Sequence, residues 1–421
     1  MRNKSSALAQ HSTGEELGYL MREHFPFFSS ARGVDSAYLD SAASALKLDA
    51  CIERLTSYLS YEHSNVHRGA YGLSVTASEN YSLGRDVIRS FCNVPSSYEV
   101  IFTSGATESA NVVARGLEES LVDENNTILT TCLEHHSNFV PWQQLARKTK
   151  SRFSVVGINA NAEIDISDFA NRLNNERPRI AAFTAMSNAF GTITPVNELV
   201  AECKKVGCIS VVDVTQSVVH GGIDVGAMDA DFVFFSAHKL YGPTGLGVLI
   251  GRGELLEELS PSTFGGGMIG EVTSEFTTWA DIPARFEAGT PPIAEVISFS
   301  ATLEKLTELN SKHAVVEAEQ ALYEYAVERM RQCDGVRLVG PLERDQGAII
   351  SFLVDEVHPH DMATIADSHG VQVRAGHHCV MPAMKSLGLP ATTRLSFGLY
   401  SVRADVDRLL EAIERARSMF R

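Results

Sequence analysis

Residues 231–251 read "DFVFFSAHKLYGPTGLGVLIG". An apolar run passes directly into Ser236-Ala237-His238-Lys239, and a glycine- and proline-bearing turn leads to a second apolar run. Apolar residues without polar alternation indicate a strand covered on both faces. The lysine that follows is then held at the rim of a sheet rather than out in solvent. The same pattern recurs on either side. "EVIFTSG", "NTILTTC", "RFSVVGI", "RIAAFTAMS", "CISVVDV" and "LGVLIG" read as strands. "ATESANVVARGLEES", "FVPWQQLARKTK" and "VNELVAECKKVG" read as the helices between them. Buried strands alternating with helices predict an α/β, doubly wound, mostly parallel sheet with helices on both faces.

Beyond this region, glycine and proline punctuate residues 261–292 ("PSTFGGGMIG", "EAGTPPI"), which reads as a loop-rich segment outside the sheet. A long helical pattern starts near Ala301 and runs to Cys333 with a break near Asn310. "GAIISFLV", "VQVRA" and "TTRLSFGLY" then read as strands, "DMATIADSHG" as a helix and "RADVDRLLEAIERARSMF" as a closing helix. The expected division is an N-terminal segment at 1–34 packing on the small domain, a large domain at 35–300, and a smaller C-terminal α/β domain at 301–421.

The chain has 421 residues, 44% hydrophobic and 21% charged, an ordinary globular balance. A net charge of −16 disfavours sequence-independent nucleic-acid binding, because phosphates would be repelled. Seven cysteines are scattered without a CxxC pair, as in a reducing compartment. No apolar run approaches the ~18 residues of a membrane span, and "MRNKSSALAQHSTGEELGYL" has no secretory apolar core. Its first stretch lacks acids as a transit peptide does, but Glu15 and Glu16 follow at once. Cytoplasm is the expected location.

Four places carry candidate chemistry. In "FTSGATESANVV" a strand ends, Gly105 turns the chain, and Ala106-Thr107-Glu108 open a helix. Free N–H groups, the helix dipole and the Thr107 hydroxyl can bind an anion there, although taken alone the plainer reading is a Thr N-cap. In "VVDVTQS" Asp213 ends a buried strand, at the edge where open α/β sheets bind ligands. It reads equally as a loop or cap aspartate. Lys239 is a candidate Schiff-base amine, a role that needs a lowered pKa. In "LEHHSN" His135 and His136 follow a further strand. They could be a zinc pair, but adjacent histidines diverge on most backbones and no third ligand has finger spacing. A rim lysine, an aspartate for a pyridinium nitrogen and a helix N-terminus for a phosphate together suggest pyridoxal phosphate.

With these residues placed, the chain resembles the fold-type I pyridoxal phosphate enzymes of the class V aminotransferase family, and within it the group II cysteine desulfurases of the SufS/CsdA type. The matching stretches run from "AYLDSAASALK" (37–47) through "NVHRGAYGLS" (65–74), "EHHSNFVPW" (134–142), "FSAHKLYGPTGLGVL" (235–249) and "RFEAGTPP" (285–292) to "VRAGHHC" (373–379). The resemblance implies that Lys239 bears the cofactor and shuttles a proton, and that His135 stacks on its ring. Asp213 pairs with the pyridinium and Gln216 contacts the phenolic oxygen. Ala106, Thr107, Ser236 and His238 hold the phosphate, with Thr290 reaching the phosphate of a neighbouring subunit in a homodimer. Asn188 and Arg394 hold the substrate carboxylate, His67 and Arg374 line the pocket, and Cys379 is the nucleophile. One departure is "DVTQ" (213–216), where the family has small residues between Asp and Gln.

The implied reaction converts L-cysteine to L-alanine and leaves a persulfide on Cys379. Arg374 and any protonated His377 or His378 would favour its thiolate. A sulfur-acceptor protein of the SufE/SufU type would take the sulfur on, most commonly to iron–sulfur cluster assembly. The alternative within the family is a selenocysteine lyase. From another class, "HHC" could belong to a metal-binding module or an inactive scaffold, against which the intact Lys239, Asp213 and Arg394 argue.

Overall fold

The computed structural model describes residues 14–342 and 347–420. The first 13 positions of the expected N-terminal segment lie outside the described residues. Seven strands form the larger sheet: β1 (Tyr98–Thr103), β2 (Thr127–Thr131), β3 (Arg152–Val156), β4 (Ile180–Thr184), β5 (Ile209–Asp213), β6 (Phe232–Ser236) and β7 (Gly247–Arg252). Their order is β1-β7-β6-β5-β4-β2-β3, and all run parallel except β7, which is antiparallel to both neighbours.

The alternation of strand side chains feeds two separate cores. Phe232 and Phe234 pack with Val113 and Leu117 of helix Ala106–Ser120 and with Trp142 of helix His136–Thr149. Val233 and Phe235 face the other way, into a core with Val296, Phe299 and Leu303 of helix Ile293–Lys312. Ser236 continues the first face, and its Oγ accepts the Ala106 N–H at 2.8 Å. Gly247, opposite Ser236, permits this approach: a Cβ there would lie 2.5 Å from the Gly105 backbone.

The smaller sheet is antiparallel, built from β8 (Val336–Val339), β9 (Ile349–Val354), β10 (Arg374–Gly376) and β11 (Thr392–Ser396) in the order β8-β9-β11-β10. Helices Val315–Arg331, Pro359–Ser368 and Arg403–Phe420 cover it, with Tyr323, Phe352, Leu395 and Ile413 in their shared core. Helix Gly14–Arg22 buries Leu17 and Met21, and Arg22 pairs with Asp405 at 2.7 Å. Among the described residues no helix is long and apolar enough to cross a membrane.

Three details differ from the sequence reading. Helix Ile293–Lys312 runs unbroken through 300/301, and the chain leaves it at His313 rather than near Asn310. The glycine-rich region contains an exposed hairpin, Ile269–Val272 with Thr277–Trp279. "VQVRA" is two short strands: Val371–Gln372 pairs in parallel with Ala37–Tyr38, and Arg374–Gly376 pairs with β11.

Candidate active site

The carboxyl ends of the parallel strands share one edge of the larger sheet, and the segments leaving them wall a cavity of about 510 Å³ against β10 and β11. All of the residues to which the resemblance gives a role line it except His67 and Thr290, and His136 of the histidine pair does not line it either. His67 and Thr290 are both exposed. The His67 ring meets Tyr81 edge-on at 5.9 Å, and the Tyr81 hydroxyl donates to Glu287, three residues before Thr290.

Lys239 closes a single helical turn, Ala237–Lys239, immediately after β6. Its pKa is lowered to about 8, chiefly by burial and further by Arg394 and Arg374, against the pull of Asp213 and Cys379. Asp213 is 4% exposed, and its Oδ1 accepts the Thr215 N–H at 2.9 Å. Burial raises its pKa, resisted by Thr215 and the Lys239 ammonium. The bulkier "DVTQ" segment is accommodated: Val214 is buried in the core, and Gln216 Nε2 donates to the Ala42 carbonyl at 3.0 Å. Thr215 Oγ1 and Gln216 Oε1 are buried without a hydrogen-bond partner in the structure.

His135 caps helix His136–Thr149, its Nδ1 accepting the Ser137 N–H at 3.1 Å. That assigns the ring proton to Nε2. Burial, with Lys239 nearby, lowers its pKa to about 3, so the ring is neutral. His238 is likewise lowered to about 4 by burial and by Lys239, and its Nδ1 lies 3.2 Å from Ser44 Oγ. Behind His135, the buried Glu134 receives hydrogen bonds from Thr131, Asn138 and the Thr184 N–H. Burial raises its pKa to about 8 against those three donors.

The opposite wall is cationic. Arg374 and Arg394 stand directly opposite each other on β10 and β11. Like charges in that register destabilise a sheet. Asp40 resolves the conflict: it takes Arg374 through both carboxylate oxygens (2.8–3.1 Å) and Arg394 Nη2 at 3.0 Å. Sequence reasoning missed Asp40, although it stands in the quoted "AYLDSAASALK". Arg394 is 2% exposed, its Nη1 donates to the Asn188 carbonyl at 2.8 Å, and its Nε has no partner in the structure. The Asn188 side chain is itself engaged, donating to the His378 carbonyl at 2.7 Å.

Cys379 is partly buried on the loop that follows β10, among the charges of Lys239, Arg374 and Arg394. His378 is not a cation beside it: burial, then Arg394, lowers its pKa to about 2, and its Nε2 meets Thr392 Oγ1 at 2.9 Å. Among the described residues no three His, Cys, Asp or Glu side chains are grouped to hold a metal ion.

Residues 37–409 match the aminotransferase class-V family model. The chain belongs to the class V aminotransferase family. It is 39% identical to a probable cysteine desulfurase of Streptomyces coelicolor over 95% of this chain and 97% of that protein. Among solved structures it is similar to the cysteine desulfurase of Thermococcus onnurineus, with a TM-score of 0.89 and 32% identity over 97% of this chain and 99% of that one. It is also similar to the cysteine desulfurase CsdA of Escherichia coli, with a TM-score of 0.86 and 33% identity over 96% and 99%. As a class V family member it shares fold type I with these relatives.

Two outcomes are expected of the cationic wall and its neighbour. Asp40→Asn leaves the facing arginines without a countercharge and is expected to cost roughly 3 kcal/mol in denaturant unfolding. His378 has a folded pKa of about 2 against 6.5 for the free side chain. The unfolded chain therefore binds the extra proton, and stability falls as pH drops below about 6.5. His378→Gln removes this term, so its stability-versus-pH slope is expected to be flatter than wild type by about 1.4 kcal/mol per pH unit there.

Proposed function

We propose that this chain is a pyridoxal phosphate-dependent cysteine desulfurase that converts L-cysteine to L-alanine and carries the sulfur as a persulfide on Cys379. The observation that carries the reading is one cavity lined by both a thiol, Cys379, and a lysine of lowered proton affinity, Lys239, beside a buried guanidinium. An aminotransferase or epimerase on the same scaffold would need no such thiol.

The residues suit the cofactor. Asp213 is a buried carboxylate whose hydrogen bond comes from a backbone N–H, and a pyridinium nitrogen supplies the cation it calls for. The unpartnered Thr215 and Gln216 oxygens are buried polar atoms on the same wall. Thr107, Ser236 and His238 at the N-terminus of helix Ala106–Ser120 make a cup for a phosphate, with the Ala106 N–H holding Ser236 Oγ in place. When bound, pyridoxal phosphate supplies a Schiff-base carbon and an electron sink for the bonds at the substrate's Cα.

This chain's own groups do the rest. Arg394, whose guanidinium lines the cavity, is the group for the substrate carboxylate. The Asn188 side chain is spent on the His378 carbonyl, so Asn188 steadies Arg394 and the Cys379 loop in addition to bordering the carboxylate site. With a pKa of about 8, Lys239 is partly neutral near physiological pH and can take and return the Cα proton. His135, neutral and fixed at Nδ1, presents a flat ring to the cavity. The Cys379 thiolate attacks the substrate sulfur. The new S–S bond forms as Cβ–S breaks, its electron pair stays on carbon, and a proton there completes alanine. A thiol reductant or an acceptor protein of the SufE/SufU type then removes the sulfur, with iron–sulfur assembly the expected destination.

A homodimer completes the reading. His67 and Thr290 are exposed on a surface joined through Tyr81 and Glu287, and Leu59, Tyr61, Tyr71 and Leu73 expose apolar area on the nearby stretch. Free cysteines throughout fit a reducing location such as the cytoplasm.

The test is alanine and sulfide release from L-cysteine in the presence of a thiol reductant. Cys379→Ser is expected to keep the cofactor's absorbance and to lose sulfide release by at least about 100-fold. Undiminished release from the variant would contradict the assignment. Retained turnover of L-selenocysteine alone would favour the lyase alternative.

A further inference from the structure

His135 and His136 are adjacent but face different tasks. His135 lines the cavity, whereas His136 does not. As first residue of helix His136–Thr149, His136 donates its backbone N–H to the Cys379 carbonyl at 2.8 Å. Its ring Nε2 accepts the Met381 N–H at 3.2 Å, which leaves the ring proton on Nδ1. The same residue thus grips the chain on both sides of Val380.

The gripped segment is strained. His378 and Cys379 are consecutive non-glycine residues in the left-handed region, with φ of 49° and 58°. Such residues hold that conformation only where their surroundings impose it, and they concentrate at functional turns. Around Cys379 the imposing contacts are countable. The Val380 N–H closes the turn on the His377 carbonyl at 3.0 Å, Asn188 holds the His378 carbonyl, His377 Nδ1 accepts the Cys379 N–H at 3.1 Å, and His136 holds the Cys379 carbonyl and the Met381 N–H. The His136 and His377 rings lie 5.6 Å apart, tilted by 38°. Of these contacts, the His136 pair ties the loop to the larger sheet's own helix, the element whose N-cap is His135.

We propose that His136 is a positioning residue for Cys379, fixing the left-handed turn that keeps the thiol at the cavity during sulfur transfer. The proposal rests on the desulfurase reading above, and it assigns His136 neither a proton-transfer role nor contact with cofactor or substrate.

Two variants and two readouts test it on the cofactor-loaded enzyme. His136→Ala deletes the ring acceptor and keeps the backbone N–H. Met381→Pro deletes the N–H that the ring receives, at a first helical position where proline is tolerated, and replaces an exposed side chain; Met381→Ala, which keeps the N–H, is the control for the side chain. The first readout is kcat and KM for alanine release from L-cysteine. The second is the rate at which iodoacetamide alkylates Cys379, read on its peptide by mass.

Both variants are expected to lower kcat by about ten- to a hundredfold with KM within about twofold of wild type, as for a displaced reacting group. Both should shift the Cys379 alkylation rate, and His136→Gln, which restores an acceptor, should recover most of kcat. Wild-type kcat and alkylation in either variant would overturn the proposal, as would a His136→Gln enzyme as impaired as His136→Ala with cofactor retained. If the wild-type enzyme releases no alanine from L-cysteine, the desulfurase reading fails, while the alkylation comparison still reports whether His136 sets the loop.

Discussion

The buried guanidinium of Arg394 constrains the whole cleft. A cation at 2% exposure needs compensation, and it draws that from two distant parts of the chain. Asp40 arrives from the N-terminal side, 354 residues away in sequence, and Asn188 offers its carbonyl from the loop after β4. Arg394 itself stands on β11 of the smaller sheet. One side chain thereby fixes the smaller sheet against the rim of the larger one, with Nε left without a hydrogen-bond partner among the described residues. Asp40 also neutralises the opposed Arg374, so the cavity keeps a single cationic fork instead of two repelling ones.

The larger sheet supplies the other half of the chemistry through strand direction. Parallel strands must all release their chains at the same edge, so Asp213, Lys239 and His135 converge without any sequence proximity. Their shared burial then tunes them. Lys239 loses proton affinity, Asp213 gains it, and His135 and His238 are kept neutral beside the lysine. The adjacent cations reinforce desolvation for the histidines and for Lys239, while Asp213 partly opposes it at the lysine. The environment favours an amine near its useful range rather than a fixed ammonium.

The sheet was legible because its strands are short continuous apolar runs, and β5 and β6 each end on the residue types that chemistry needs. The local motif placed Lys239 at the sheet rim, whereas a role for Cys379 came only from the resemblance. Asp40 was not legible, since its meaning lies in two arginines more than 330 residues away, one placed opposite the other only once β10 and β11 pair. His136 was read only as half of a histidine pair, because its partners at Cys379 and Met381 come from a distant loop. The run from Ile293 to Lys312 carries no glycine or proline, so the helix crosses the position where a domain boundary was expected. The hairpin at Ile269–Val272 and Thr277–Trp279 hides in composition that signals turns, being short and exposed.

The account turns on where the sulfur goes. Peptide mass spectrometry after a single turnover of L-cysteine, without reductant, reads that directly. One added sulfur atom is expected on the peptide that carries Cys379, with the other cysteines unchanged. Alanine formed with no sulfur on Cys379, or with sulfur spread across the buried cysteines, would contradict the central claim.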